Sequence, residues 1–417
     1  MAKKAADLLI LNPRELVTAR SGTLPLRGRS LSSLKVLHGF SIAVKDGRIV
    51  DVTDDPTSYD AEEVFNADGL VALPGFVDSH THIPFFGFRH EEFLMRAAGA
   101  DYLEILKSGG GILNTRESVK AAHREEMVEF NRRFLEEMLS CGITTSDAKT
   151  GYGLSVELEM KQLQVIDDLN HVQPLELVPT FMGAHAVPPE FVTRHREYLE
   201  SFIEAAQLLK SRVATVDIFC ERGAFGIEDT RFYLENMRHK GFRLRLHADE
   251  FEDLGCAKLG VELGAVSVDH LIASSDETLD VIASSQTVAV LMPATSFFMK
   301  KPFARARELI DRGAAVALGS DFNPGSNMIF DPSIVTHLAV NYLGMTVEEC
   351  LNAYTINAAW VVGISHRVGS LEKGKEADII LMDLPSYRAL PYLPSHRRVV
   401  AVFKRGSLVW KKETMRA

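Results

Sequence analysis

The chain has 417 residues, of which 46% are hydrophobic and 24% charged, and its formal net charge is −10. This composition is ordinary for a globular protein, and the length favours one large domain together with a smaller one. The acidic balance argues against nucleic acid or an anionic membrane as a partner, because either would need clustered cations on the protein surface.

The N-terminal sequence MAKKAADLLILN contains only a short apolar stretch, which does not have the pattern of a signal peptide. No run of about 18 apolar residues indicates a membrane span. The cysteines are widely spaced and form no CxxC pair, so their pattern indicates neither a disulfide framework nor a thiolate zinc site. These cysteines are Cys141, Cys220, Cys256 and Cys350. We predict that they are inert core residues of a cytoplasmic protein.

The first segment, residues 1–70, is predicted to be rich in β-structure. It contains FSIAVKDGRIVDV, in which alternating residues flank an Asp-Gly turn, the strongest short signal for a β-hairpin. Towards the other end, KGKEADIILMDL and RVVAVFKRGSLVW show the same pattern. We therefore expect residues 1–70 and 368–417 to form together one small β-sandwich-like domain.

Residues 71–367 alternate between short apolar runs and longer segments with helical periodicity. The predicted strands are LVALPGFVDSHTH, GITTSDAKT, LELVPTFMGAHA, TVDIFCE, FRLRLHADE, AVSVDHL, TVAVLMPA and AAVALGSDF. Eight strand–helix units predict an α/β fold, a (β/α)8 TIM-type barrel.

Histidines and carboxylates collect at the ends of these predicted strands. In such barrels the catalytic residues lie at the carboxyl ends of the strands, which all face one mouth. Five of the 14 histidines fall there: His80, His82, His185, His247 and His270. Glu250 and Asp321 follow the fifth and the eighth strand. His80 and His82 are two residues apart and therefore point to the same face of an extended chain.

Neutral imidazoles with a carboxylate are the ligands of a catalytic divalent metal such as zinc, provided that one position stays open for water. The candidates are His80, His82, His247 and Asp321. Such an ion would polarise a carbonyl group and lower the pKa of a bound water molecule. Asp321 could also accept the proton of that water, although it could alternatively cap the following turn.

Several motifs together resemble the amidohydrolase superfamily: PGFVDSHTH, HADE, VDHL and SDFNPGS. With SGGGILNT, KTGYGL and TFMGAHAVPPE in the same order, the chain more narrowly resembles the imidazolonepropionase family. The resemblance implies a homodimeric hydrolase that opens the ring of 4-imidazolone-5-propanoate to N-formimino-L-glutamate, the third step of histidine degradation. In that reaction, water activated by the metal attacks the carbonyl of the cyclic amide.

The resemblance implies one metal ion, zinc or iron, bound by His80, His82, His247 and Asp321. Many members of the superfamily instead hold two metals with a carboxylated lysine on the fourth strand. Here the fourth predicted strand ends in Glu221 and has no lysine at that end. Lys149 lies on the second strand, where an ion pair or a hydrogen bond is expected.

The resemblance also implies a set of substrate contacts: Arg89, Tyr152, His185, Glu250, Asn323, Gly325 and Ser326. The guanidinium of Arg89 has a planar fork suited to a carboxylate or a carbonyl oxygen, although arginines also occur as solvated surface residues. Tyr102 is a weaker candidate that could simply pack. We expect Glu250 and Asp321 to share the proton transfers, and His185 and His270 to stabilise the oxyanion in interchangeable roles.

Three alternative interpretations are less favoured by the residues. The SGGGI segment, Ser108–Ile112, lacks the lysine of a phosphate-binding loop and is more typical of a tight turn or a mobile lid. A guanine-type aminohydrolase shares the histidine motifs, but Arg89 and Tyr152 favour a small acidic ring over a neutral purine. A non-catalytic metal-binding homologue would be expected to lose Glu250, His270 or Asp321.

Overall fold

The computed structural model describes residues 3–19, 24–99 and 110–413. Tyr102 and the first residues of the glycine segment, Ser108 and Gly109, lie outside the described residues. The strands, numbered β1 to β18 in chain order, are Lys4–Leu11, Glu15–Ala19, Leu34–Leu37, Ser41–Lys45, Arg48–Thr53, Tyr59–Asn66, Val71–Pro74, Phe76–Asp78, Ile143–Lys149, Glu176–Ala184, Thr215–Cys220, Arg243–Ala248, Ser267–His270, Val288–Leu291, Ala315–Leu318, Ile379–Met382, Val399–Lys404 and Ser407–Lys411.

Strands β8 to β15 form an eight-stranded sheet in which neighbours in sequence are also neighbours in space. All of these pairs are parallel. Helices connect the strands on the outside, as the alternation of apolar runs and helical periodicity predicts. The prediction of a TIM-type barrel is therefore confirmed.

The α-helices in the described ranges are His90–Ala97, Ile112–Ala121, Arg124–Ser140, Val156–Val172, His195–Glu204, Ala206–Lys210, Ile227–His239, Cys256–Glu262, Asp276–Ala283, Pro293–Phe298, Ala306–Arg312, Pro332–Tyr342, Val347–Ala353 and Ile356–Val361. Several begin at residues whose side chains accept a hydrogen bond from the first turn, such as Ser155 and Ser275. Among these helices, none is both long and apolar enough to cross a membrane.

The barrel closes through the residues that follow its first and last strands. The amide of Asp321 donates to the carbonyl of His80 at 2.8 Å, and the amide of His82 donates to the carbonyl of Phe322 at 3.0 Å. Thr81 and Phe322 form a parallel bridge between the two segments. The closure therefore brings the HTH segment beside Asp321, although they are far apart in sequence.

The first predicted barrel strand, LVALPGFVDSHTH, is in fact two strands. β7 ends at Pro74 and β8 begins at Phe76. A Cβ atom at Gly75 would overlap the side chain of Thr144, so only glycine allows the chain to pass so close to β9. β7 pairs with β16 and β2 rather than with a barrel strand. The chain therefore turns from a terminal sheet into the barrel at Gly75.

Two further sheets are built from the terminal parts of the chain. A four-stranded sheet has the order β5-β4-β1-β6, and a six-stranded sheet has the order β18-β17-β16-β7-β2-β3. The six-stranded sheet thus combines N-terminal and C-terminal strands. Asp46 and Gly47, with φ of 50° and 72°, form the turn between β4 and β5, as the Asp-Gly signal predicts.

The cysteine pattern indicates no disulfide, and this is wrong for one pair, although Cys220, Cys256 and Cys350 do lie in the buried core as expected. Cys220 and Cys256 are joined by a disulfide that spans a sequence separation of 36 residues. Cys220 ends β11, and Cys256 begins the helix that follows β12. Because β11 and β12 are adjacent in the barrel, the two residues meet although no local motif links them. Cys141 and Cys350 are free.

Candidate metal centre and active site

Three histidine rings converge at the mouth of the barrel. The Nε2 atom of His82 lies 3.3 Å from the Nε2 atom of His80 and 3.3 Å from that of His247. His80 and His82 follow β8, and His247 lies near the end of β12. Burial holds the pKa of His80 well below its ordinary value and lowers that of His247 to about 3, so both rings are neutral. Neutral imidazoles that share one point in space are suited to a metal ion.

Asp321 lies beside these three histidines, on the segment that follows the last barrel strand, β15. Its Oδ1 atom lies 3.2 Å from Nε2 of His82 and 3.6 Å from Nε2 of His80. Oδ2 accepts a hydrogen bond from Thr295 Oγ1 at 2.7 Å. Burial alone would raise the pKa of Asp321, but its contacts with His82, His270 and Thr295 outweigh it and bring the pKa to about 2. Asp321 is therefore an anion whose partners are side chains rather than the amides of a capped turn.

Two aspartates hold the histidines by their other ring nitrogen. Nδ1 of His80 lies 2.7 Å from Asp269 Oδ2, and Nδ1 of His247 lies 3.0 Å from Asp217 Oδ1. An acceptor at Nδ1 places the proton there and leaves the lone pair of Nε2 free. Both rings therefore direct an unprotonated nitrogen towards the shared point, which is the arrangement that a metal ion requires.

His270, at the end of β13, lies in the same cluster. Its ring centroid is 5.1 Å from that of His247 and 5.5 Å from that of His80. Both of its ring nitrogens are buried without a hydrogen-bond partner among the described residues. Its ligand atom, with those of His80 and Asp321, forms a second group within 4.8 Å that could hold a metal. Unsatisfied buried nitrogens cost about 1–3 kcal/mol each, so this ring is adapted to a ligand or a reacting group.

Glu250 lies beside His270. Its Oε2 atom is 3.7 Å from Nε2 of His270, and burial raises the pKa of this carboxyl to about 7. The loop that carries it is anchored by Glu221 at the end of β11, whose Oε2 accepts a hydrogen bond from the amide of Phe251 at 2.9 Å. A carboxyl group with a pKa near neutrality can both accept and release a proton at physiological pH.

His185 and Tyr152 line the neighbouring wall of the site. The ring of His185 stacks on that of His82 with centroids 4.9 Å apart, and its Nδ1 lies 3.0 Å from the carbonyl of Gly151. The ring of Tyr152 lies 5.4 Å from that of His185, and burial raises the pKa of its hydroxyl. The structure thus brings both residues next to the histidine cluster.

Arg89 is not a solvated surface residue. Its Nε and Nη2 atoms donate to the two carboxylate oxygens of Glu92 at 2.9 and 2.7 Å, and only 13% of its side chain is exposed. Its Nη1 atom lies against Gly325, where a Cβ atom would collide with it. Arg96 donates to the carbonyl of Gly325 at 2.8 Å. Both arginines therefore contact Gly325 of the DFNPGS loop, and Glu92 pairs with Arg89.

Asn323 shapes this loop through its own side chain. Its Oδ1 atom accepts hydrogen bonds from the amides of Gly325 and Ser326 at 2.9 and 2.7 Å. Its Nδ2 atom donates to the carbonyl of Asp321 at 2.7 Å and to Ser326 Oγ at 2.8 Å. These bonds fix the backbone at Gly325 and Ser326 relative to Asp321.

The motifs of the sequence do not single out the aspartates that orient the histidines. Asp217 lies in the predicted strand TVDIFCE and Asp269 in AVSVDHL, and both are fully buried in the structure. The signal that could have found them is a carboxylate inside an apolar strand, which is rare unless it is paired. Lys149 donates to Asp217 Oδ2 at 2.7 Å, so the ion pair expected of this lysine is confirmed.

Comparisons with known proteins agree with this architecture. The model of the amidohydrolase family matches residues 71–409. The imidazolonepropionase of Kosmotoga olearia is 48% identical over 404 residues, covering 97% of this chain and 98% of that protein. The imidazolonepropionase of Symbiobacterium thermophilum is 43% identical over 419 residues, covering 97% and 98%. A solved adenosine deaminase from Xanthomonas campestris with bound zinc has a TM-score of 0.71 at 18% identity, covering 97% of this chain and 93% of that one, which shows a common fold.

Proposed function

Because the chain belongs to the amidohydrolase family and, within it, to the imidazolonepropionases, we propose that it hydrolyses the ring of 4-imidazolone-5-propanoate to N-formimino-L-glutamate. The observation that carries this proposal is the convergence of three histidines and one aspartate at the barrel mouth. Beside them lie Glu250 with His270, which can transfer protons, and a basic rim formed by Arg89 and Arg96. Relatives of 38–48% identity over nearly the full length carry the imidazolonepropionase name.

The proposed metal ligands are His80, His82, His247 and Asp321. One zinc or iron ion at this point would supply a Lewis acid for the carbonyl oxygen and lower the pKa of water. The contacts of the neighbouring groups favour a single ion. Lys149 is engaged with Asp147 and Asp217, and Glu221 is engaged with backbone amides, so neither is free to bridge two metals.

The basic rim supports an acidic substrate over a neutral purine. Arg89 and Arg96 face a single carboxylate, Glu92, so these described residues leave one excess positive charge next to Gly325. The propionate tail of the substrate would meet this charge, with Ser326 as a further donor. Guanine is neutral and has no carboxylate, so it would meet this charge only through its carbonyl oxygen, which makes a weaker contact than a carboxylate does.

The carboxylates of Glu250 and Asp321 carry out the proton transfers. As water adds to the ring carbonyl, a new C–O bond forms, and the one proton that the water loses passes by way of the Asp321 carboxylate to Glu250. His270, whose ring nitrogens have no hydrogen-bond partner among the described residues, stabilises the negative charge that develops on the carbonyl oxygen. His185 donates its Nδ1–H to the carbonyl of Gly151, so its neutral ring offers Nε2 to the substrate as an acceptor and does not share this role. The ring C–N bond then breaks, and the proton held by Glu250 passes to the leaving nitrogen. The sum of these steps is the addition of one water molecule across one C–N bond.

The test is steady-state hydrolysis of freshly prepared 4-imidazolone-5-propanoate, with the metal content determined on the same sample. The expected result is turnover that requires about one metal ion per chain and yields N-formimino-L-glutamate. Glu250→Gln keeps the size of the side chain but removes its acid/base function, so turnover should fall by about 10²–10⁴-fold with the metal retained. A fully metallated protein that does not hydrolyse this compound would refute the substrate, and panels of purines and other cyclic amides would then identify the ring that it opens.

A further inference from the structure

Below the histidine cluster, a set of charged side chains is fully enclosed by the barrel strands. Each has 0% relative exposure: Asp147, Lys149, Asp217, Arg245 and Asp269. Burying a charge is costly unless it is paired and hydrogen-bonded, and even paired charges rarely add stability compared with an apolar core. Such a group at the centre of a barrel therefore calls for a reason other than stability.

One arm of this network runs from Arg245 to His80. Arg245 donates through Nη2 to Asp269 Oδ2 at 2.7 Å and to the carbonyl of Ser79 at 2.8 Å. Its Nε atom donates to Ser267 Oγ at 3.0 Å. Asp269 Oδ2 is the same oxygen that lies 2.7 Å from Nδ1 of His80. The guanidinium thus sets the position of the carboxylate that orients this histidine.

The second arm runs from Lys149 to His247. The Nζ atom of Lys149 lies 2.7 Å from Asp217 Oδ2, and the other oxygen of Asp217 lies 3.0 Å from Nδ1 of His247. Each arm therefore has the same order of cation, carboxylate and histidine.

Asp147 links the two arms. Its Oδ2 atom lies 2.8 Å from Nη1 of Arg245 and 2.9 Å from Nζ of Lys149. Its Oδ1 atom accepts a hydrogen bond from Thr180 Oγ1 at 2.6 Å. Both cations are thereby fixed relative to one another, and so are the two carboxylates that they hold.

We propose that Lys149 and Arg245, joined by Asp147, are positioning residues for the metal centre. They keep Asp217 and Asp269 in place as acceptors for the Nδ1–H groups of His247 and His80. Both rings then present an unprotonated Nε2 atom to one point. This inference rests on the proposed function, since it assumes that the histidines bind a metal.

The formal charges of the network suit a divalent ion. By formal charge, three buried carboxylates face two buried cations, and Asp321 adds a fourth carboxylate at the histidine cluster. The set therefore has two excess negative formal charges, which a divalent cation would balance. A positioning role and a purely electrostatic effect therefore predict opposite changes in metal affinity when a buried cation is removed.

Lys149→Met provides this test, because it removes a positive charge close to the proposed ion. If charge alone mattered, the metal would bind more tightly. If Lys149 positions Asp217, Zn²⁺ should bind about 10–100-fold more weakly, as is typical when a residue that supports a ligand is lost. The measurement is a titration of the metal-free full-length protein with Zn²⁺ in competition with a chromophoric chelator.

A matched control is Lys404→Met. Lys404 is also buried and lies 2.7 Å from the carboxylate of Asp378 and 3.2 Å from that of Glu176, which is the first residue of β10, at the opposite end of the strand from the histidine cluster. This variant should bind Zn²⁺ as the parent protein does. The visible absorption spectrum of the Co²⁺-loaded protein should change in Lys149→Met, since it reports ligand geometry, and should stay the same in Lys404→Met.

The outcomes separate the two hypotheses. A parent protein that binds no metal refutes the proposed function. A parent that binds Zn²⁺ while Lys149→Met binds it equally or more tightly, with an unchanged Co²⁺ spectrum, refutes the positioning role. If Lys149→Met does not fold, Asp217→Asn replaces it: this side chain still accepts from Nδ1 of His247 but loses the charge that holds Lys149, and unchanged Zn²⁺ affinity in this variant equally refutes the proposal.

Discussion

Replacing His270 with alanine distinguishes a residue that acts on the substrate from a metal ligand. The ligand atom of His270 forms a possible metal group with those of His80 and Asp321, whereas the other group is His80, His82 and His247. Our assignment places the ion with the latter group and Asp321. His270→Ala should therefore retain the metal and lose turnover.

The magnitudes follow from the contacts of the ring. Loss of one group that stabilises an oxyanion typically lowers kcat by about 10²–10³-fold. The two ring nitrogens have no hydrogen-bond partner among the described residues, so their removal leaves no bond broken within that part of the protein. The cavity left by the ring lowers the stability of the fold. Removing two unsatisfied nitrogens raises it, by about 1–3 kcal/mol for each nitrogen. We therefore expect the free energy of unfolding to change by less than about 2 kcal/mol.

The assay measures three quantities on one preparation: bound metal, kcat with the proposed substrate, and thermal unfolding. His195→Ala is the control, because Nδ1 of His195 lies 3.0 Å from a carboxylate, that of Asp229, and neither residue belongs to the groups of described residues that could hold a metal. This variant should keep the metal and full turnover. Loss of the metal from His270→Ala, with the fold intact, would refute the ligand assignment and make His270 a metal ligand.

Other predictions concern the rim, the acid/base group and the disulfide. Arg96→Gln removes one charge beside Gly325, so KM should rise about tenfold with little change in kcat, as expected for a charge-assisted contact of about 1.5 kcal/mol; an unchanged KM would exclude Arg96 from substrate binding. Because burial raises the pKa of Glu250 to about 7, its basic form is lost as the pH falls through that value. The pH profile of kcat/KM should therefore decline on the acid side near neutrality, and Glu250→Gln should abolish this limb. The Cys220–Cys256 disulfide closes a loop of 36 residues, so Cys220→Ser should lower the free energy of unfolding by up to about 4 kcal/mol in urea denaturation. Equal stability of the variant and the oxidised parent would contradict the pairing.

Much of the fold is readable from local pattern. Apolar runs alternating with helical periodicity predict the barrel, and each predicted strand after the first corresponds to one observed strand. The hairpin turn at Asp46 and Gly47 also follows from two adjacent residues. These features depend on interactions between residues close in sequence, whose backbone preferences and spacing are visible in the sequence itself.

The candidate site is only partly readable in this way. The spacing of His80 and His82, and the position of His247 at a strand end, indicate a shared mouth from the sequence alone. The sequence does not show which carboxylate orients which histidine. Asp269 is 189 residues from His80, and Asp217 is 30 residues from His247.

Those partners are decided by the closure of the barrel and by the register of its strands. The HTH segment meets Asp321 only because the first and last strands join. Cys220 meets Cys256 because β11 and β12 are neighbours, and Arg89 lies beside Gly325 because a glycine leaves room for it. Residue types and local spacing determine which groups can do chemistry, whereas contacts between distant segments depend on the packing of the whole chain, so only the tertiary structure decides which groups act together.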